Sequence, residues 1–278
     1  MFGELFVGEI LVNVLLQNYS TNLLISFFQA ITLFGHPLPW IIIAAWLFWI
    51  GKEKKSFALV SVIIFSSLIS GILKFVIARP RPEGLQVFEA TPTNYSMPSG
   101  HSVLAGAIYG FFENKLRGNI KWLLLILTIL TGVSRLFLGV HYLSDVFVGL
   151  ILGYFIGKIV LKLEKKIDKS HLKVTKFNEE KLLLAIFLIA IILIIVLPST
   201  FYLGFALIGY YFGFVIYRDS KLGPAKNKKI SLFFGTIILG IISYTAFFTT
   251  GFLSISLFIL SGIFVTLIWP FILHKTKL

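Results

Sequence analysis

Residues 121–160 read KWLLLILTILTGVSRLFLGVHYLSDVFVGLILGYFIGKIV: two apolar runs, about 120–138 and 141–160, meet at an island holding Arg135, His141 and Asp145. Each run has about the twenty residues a helix needs to cross the hydrocarbon core of a bilayer. Ionisable groups at membrane depth are costly and tend to mark functional sites. The stretch therefore predicts two spanning helices joined at a polar site, and it directs the search to partners elsewhere in the chain.

The rest of the composition agrees. Of 278 residues, 57% are hydrophobic and 13% charged, with a mean hydropathy of +0.93. Soluble domains carry about a quarter charged residues. The expected fold class is all-α, a polytopic transmembrane helical bundle. Apolar runs near 22–50, 56–78, 100–113, 120–138, 141–160, 181–198, 201–217, 230–248 and 252–272 give about nine spans. Glu9, Asn13, Gln17 and Ser20 form one polar stripe at helical spacing ahead of them, in a segment without the basic start of a signal peptide. An interfacial helix along the bilayer is expected there, with a first spanning helix as the alternative.

The net charge of +13 comes from short connections near 52–55, 114–121, 158–181, 218–229 and 274–277. Positive-inside topology accounts for these, placing the N-terminus outside and the C-terminus inside. Membrane lipids, not nucleic acid, are the expected partners of this basicity. Lys74, Arg79, Arg81 and Arg135 break the pattern by falling on the outer side. With no cysteine, thiolate metal sites, disulfides and a cysteine nucleophile are excluded. No carboxylate-rich magnesium motif is present either, so neither a metal nor another cofactor is expected.

Three polar islands share that outer side: KFVIARPRP (74–82), PSGH (98–101) and SRLFLGVHYLSD (134–145). Arg81 and Arg135 offer planar forks that match phosphate oxygens, and Lys74 adds a mobile point charge. Ser99 and Gly100 open a helix, whose first amides and dipole favour an anion. His141 and Asp145, four apart, share a helical face. The carboxylate can hold one imidazole nitrogen protonated and leave the other free to attack. His101 remains for proton transfer to a leaving oxygen. Singly, each residue has an ordinary use as a snorkelling cation, a helix cap or a packed polar group. Jointly they read as a phosphoryl-transfer site.

The three islands resemble the signature of the type 2 phosphatidic acid phosphatase (PAP2) family, K-x6-R-P, P-S-G-H and S-R-x5-H-x3-D, with every position filled in order. The resemblance covers roughly residues 20–160. It implies a metal-independent reaction through a phosphohistidine, with His141 as nucleophile, Asp145 as its orienter and His101 as general acid. By the same resemblance Lys74, Arg81, Ser99, Gly100 and Arg135 bind the phosphate, and Arg79, outside the register, is expected to be peripheral. The implied substrate is a lipid phosphate or diphosphate reached sideways from the outer leaflet of the cell membrane: a polyprenyl diphosphate, phosphatidate, phosphatidylglycerophosphate or sphingoid phosphate.

The expected organisation is an N-terminal interfacial segment (1–35), a catalytic core (36–160), a basic linker (161–180) and C-terminal helices (181–278) that the resemblance does not explain. A non-catalytic lipid transporter or scramblase, a sugar-phosphate phosphatase and a vanadium haloperoxidase are the rival readings.

Overall fold

The computed structural model describes residues 2–88, 93–169, 188–196, 201–220, 222 and 228–276. Among these the regular structure is helical, with a single isolated bridge between Pro80 and Tyr95. The chain divides into two compact units. The first comprises residues 1–40 and 61–165, and the second residues 41–60 and 166–278.

The first unit opens with α1 (Phe2–Gln17) and α2 (Asn22–Thr32), followed by a tight turn at Leu33–Gly35. The segments Gly8–Gln17 and Asn22–Gly35 are bent by 120° relative to each other. Thr21 starts α2 by accepting the Leu24 amide on its hydroxyl, the usual remedy for an unpaired first-turn N–H. Helices α3 (Pro37–Trp49) and α4 (Glu53–Ile77) are divided between the units, with residues 41–60 in the second; α5 (Gly100–Phe112), α6 (Asn119–Phe137) and α7 (Leu143–Lys169) follow.

Helix α5 is buried along most of its length, as a helix apolar on all sides must be. Its approach to α7 is set by small residues. A Cβ at Gly106 would lie 2.3 Å from the Leu150 carbonyl, and one at Gly153 would lie 2.0 Å from that of Val103. Only glycine allows backbones so near, the device that packs helices closely in membranes. The result fixes the start of α5, with Ser99 to His101, beside the start of α7, with Asp145. The opposite face of α7 exposes Phe147, Ile151, Phe155, Ile159 and Leu163, an apolar stripe at a spacing of four suited to lipid.

The second unit contains α8 (Phe201–Asp219), α9 (Lys228–Phe248) and α10 (Gly251–Ile263), the last continuing through a π turn into α11 (Trp269–Thr276). Its core gathers Phe48, Trp49, Tyr210, Phe264 and Trp269. The Trp49 indole N–H donates to the Val265 carbonyl at 2.9 Å, satisfying the one polar atom of a buried ring.

Six described helical segments are long and apolar enough to cross a membrane, or seven if the bent N-terminal pair counts as one span. This departs from the nine expected, for identifiable reasons. The run at 22–50 breaks at Leu33–Gly35 into two shorter helices, and α5 has only 13 residues. The run at 181–198 lies mostly outside the described residues. The chain is a multi-pass membrane protein of all-α class.

Candidate active site

The segment joining α6 to α7 carries the densest chemistry. Helix α6 ends at Phe137, and Gly139 turns with φ +74°, the left-handed region that glycine enters without strain. This delivers His141 just ahead of α7. Asp145 sits in the first turn of that helix with no exposed surface. Its Oδ2 accepts the Tyr142 backbone N–H at 2.9 Å and lies 3.4 Å from His141 Nδ1. That leaves His141 Nε2 on the other side, 3.4 Å from an Arg81 guanidinium nitrogen. His141 is 3% exposed, and burial, followed by the cations Lys74, Arg135 and Arg81, lowers its proton affinity well below the ordinary histidine value. These surroundings favour the neutral ring.

Three cations converge around it. Arg81 reaches the Val140 carbonyl at 2.6 Å and donates through Nε to the Thr93 carbonyl. Lys74, in the last turns of α4, donates to the carbonyls of Tyr95 and Ser96, both at 3.0 Å. Arg135 is buried at the end of α6 and donates to the Thr32 hydroxyl at 2.6 Å. Ser99 caps α5 by accepting the Ser102 amide, and its own N–H donates to the Asp145 carbonyl at 3.1 Å. His101 follows in the first turn of α5, where burial, then the nearby Arg135, His36 and His141, lower its proton affinity. All eight residues singled out in the sequence thus sit at one end of the first unit. Among the described residues no group of three or more His, Asp or Glu side chains could hold a metal ion.

Two expectations are revised by the geometry. Arg79 is not peripheral: it is 7% exposed, pairs with Asp145 Oδ1 at 2.7 Å and Glu9 at 3.1 Å, and lies over the Tyr142 ring at 4.0 Å. Residues two apart in extended backbone share a side, and after the turn at Ala78 both arginines reach the site loop, Arg79 at Ser144 and Arg81 at the Val140 carbonyl. The second revision concerns the polar stripe of α1. It faces that same loop, not headgroups. Asn13 donates to the carbonyls of Leu136 and His141, both at 2.9 Å, and Gln17 donates to Phe137 and Gln86. Phe137, Leu138 and Val140 are packed meanwhile under Leu16, Leu24, Ile25 and Phe28. The stripe itself was visible in the sequence. Its docking partner was not, because that partner lies more than a hundred residues away.

This is a cation-lined, histidine-centred site on a membrane-embedded helical frame. Residues 55–169, which contain all three islands, match the family model described as the PAP2 superfamily, so this stretch is a PAP2 region. The chain is 28% identical over 143 residues to phosphatidylglycerophosphatase B of Bacillus subtilis, covering 48% of this chain and 70% of that protein. It is 29% identical over 151 residues to the undecaprenyl-diphosphatase of Sulfolobus acidocaldarius, covering 49% of this chain and 71% of the other. In fold it is similar to the crystal structure of a transmembrane PAP2-type phosphatidylglycerolphosphate phosphatase from Bacillus subtilis. That likeness has a TM-score of 0.52 and 23% identity, covering 60% of this chain and 90% of that one. These matches span about half of this chain or somewhat more.

Proposed function

We propose that the protein is a metal-independent phosphatase of the cell membrane, hydrolysing a lipid phosphomonoester or diphosphate through a phosphohistidine at His141. The observation that carries this reading is the two-sided environment of the His141 ring. Asp145 stands against Nδ1 and a guanidinium against Nε2, so the ring is oriented toward the point where the cations converge.

The steps follow from those positions. Nδ1–H donates to Asp145, and the Nε2 lone pair attacks phosphorus as the bond from phosphorus to the lipid oxygen breaks. His101, protonated as the phosphate anion binds beside it, gives its proton to that departing oxygen. Arg81, Arg135 and Lys74, with the first-turn amides of α5, stabilise the charge on the transferring group. Water then attacks phosphorus as the phosphorus–nitrogen bond breaks, His101 takes the water proton, and inorganic phosphate leaves with the Nε2 lone pair of His141 restored. The cations fill the part that a metal plays in other phosphatases, so activity is expected to survive EDTA and to be blocked by vanadate.

A lipid substrate is favoured because the site lies at the end of apolar helices, and the two relatives named above carry lipid substrates in their names. The outer face is favoured because the basic connections lie at the other ends of those helices. Near one of them, Lys115 pairs with Glu164, and Lys158 with Glu113, at the far end of α5 and α7 from His101. The test is a panel of lipid phosphates and diphosphates in liposomes beside soluble sugar phosphates. Release of phosphate from a lipid is expected. Hydrolysis confined to sugar phosphates overturns the reading. As the chain lacks cysteine, a single cysteine at Glu83 is expected to be labelled by an impermeant reagent from outside the cell.

A further inference from the structure

Behind Asp145 lies a second layer of charge that phosphate binding does not use. The Arg79 guanidinium bridges two carboxylates, Asp145 Oδ1 at 2.7 Å and Glu9 Oε2 at 3.1 Å. Glu9 Oε2 also accepts the Ser144 hydroxyl at 2.9 Å and the Ser144 amide at 3.3 Å, and Arg79 donates to the same hydroxyl at 2.5 Å. Ser144 is the residue before Asp145. Arg79 and Asp145 are buried and Glu9 is mostly so, at 23% exposure. A chain of two carboxylates around one guanidinium, held this dry, is costly to assemble for packing alone.

We infer that Glu9 and Arg79 are positioning residues, forming a charge relay that holds Asp145 and sets the proton affinity of His141. The inference rests on the reading of His141 as nucleophile. By occupying Oδ1, Arg79 fixes the carboxylate so that Oδ2 faces the imidazole. By drawing on the Asp145 charge it also limits how strongly that charge favours a protonated, unreactive ring. Glu9 offsets part of Arg79 and completes the balance. Helix α1 thereby becomes part of the site, since Asn13 on the same stripe, one turn on, holds the His141 carbonyl.

The groups acting directly on His141 are Lys74 from α4, Arg81 from the following segment, His101 from α5, Arg135 from α6 and Asp145 from α7; Arg79 stands behind Asp145, and Glu9 from α1 behind Arg79. Against that fixed background the two variants act in opposite senses. Glu9→Gln removes a negative charge and keeps acceptor oxygen for Ser144 and Arg79. The ring then binds protons less readily, and the acidic limb of kcat/KM moves to lower pH. Arg79→Met removes a positive charge, and the limb moves to higher pH. Ionisation of the substrate is common to all variants and cancels from the comparison.

The experiment uses the purified full-length protein, with acid-quenched trapping of labelled phosphate on the wild type beside the pH profiles. The expected shifts are about half a pH unit or more in opposite directions. Each single variant should lose about three- to a hundredfold in kcat/KM, and the double variant should lose no more than Arg79→Met alone, because Glu9 acts through Arg79. Unmoved limbs, limbs moving the same way, or losses that multiply overturn the relay. Should Arg79→Met fail to give a monodisperse protein, Glu9→Gln decides alone, an unmoved limb overturning the relay. Absence of trapped phosphate on the wild type removes the nucleophile and the relay together. Trapped phosphate with unmoved limbs removes the relay only.

Discussion

The two units of the molecule bury polarity in different ways. In the first, the buried polar residues include Arg79, Arg135, His141 and Asp145. In the second, among the described residues, they are all hydroxyls: Ser56, Ser231, Ser254, Ser261 and Thr266. Most of these hydroxyls bond to a nearby helical carbonyl, as Ser254 does to Ala246 at 2.8 Å and Ser261 to Phe258 at 2.7 Å. Such bonds cost little, since the acceptor is already in place. Buried charges are costly unless paired and hydrogen-bonded; here Arg79 pairs with Asp145, and Arg135 donates to the Thr32 hydroxyl. Under the proposed function, the buried charges of the first unit are the ones that carry chemistry.

The sharpest way to break that contrast is to remove the central ring. His141→Ala should lower kcat by about 10⁴-fold or more, as loss of a nucleophile does. Residual activity near the wild type would mean that the charges are buried for some other reason. Next in size, His101→Ala should slow hydrolysis of a lipid alkoxide ester by about 10²–10⁴-fold. That loss should shrink for p-nitrophenyl phosphate, whose phenolate departs without a proton. A loss equal for both leaving groups would remove His101 from the acid role. Arg135→Lys should cost about 10²–10³-fold, because a point charge cannot reproduce the two-pronged contact of a guanidinium.

A gentler probe is pH. His141 has a depressed proton affinity through burial and the surrounding cations, so its neutral, attacking form is present above that lowered value and lost as pH falls through it. The acidic limb of kcat/KM should therefore lie below 6.5, the ordinary histidine value. A limb above it would contradict the neutral ring. The smallest effect belongs to the second unit. Tyr210 bonds to Ser56 at 2.8 Å, and Tyr210→Phe should cost about 1 kcal/mol of stability while kcat stays within about twofold. A large fall in kcat would place chemistry where only packing is expected.

Much of the site could be read in the sequence, because its residues lie in three short islands whose internal spacing is local. His141 and Asp145 needed only a helical turn, and Ser99 needed only a helix start. What could not be read was the layer behind them. Arg79 and Arg81 differ by two positions, and nothing local says which side chain meets the phosphate pocket and which meets Asp145. Glu9, Asn13 and Gln17 were legible as a stripe, but water, headgroups and a polar loop are equally good hosts for such a stripe. The fold was legible as class and less so as span count. Hydropathy reports apolar length, and a 13-residue helix buried among others gives the same local signal as part of a span.

The account stands most directly on one covalent bond. Incubation with radiolabelled lipid phosphate, quenched within one turnover, should leave acid-labile, base-stable phosphate on the wild-type protein, mapped to the peptide containing His141. His141→Ala should trap none. Label that persists on His141→Ala, or a wild type that turns substrate over without trapping any, would contradict the phosphohistidine at His141.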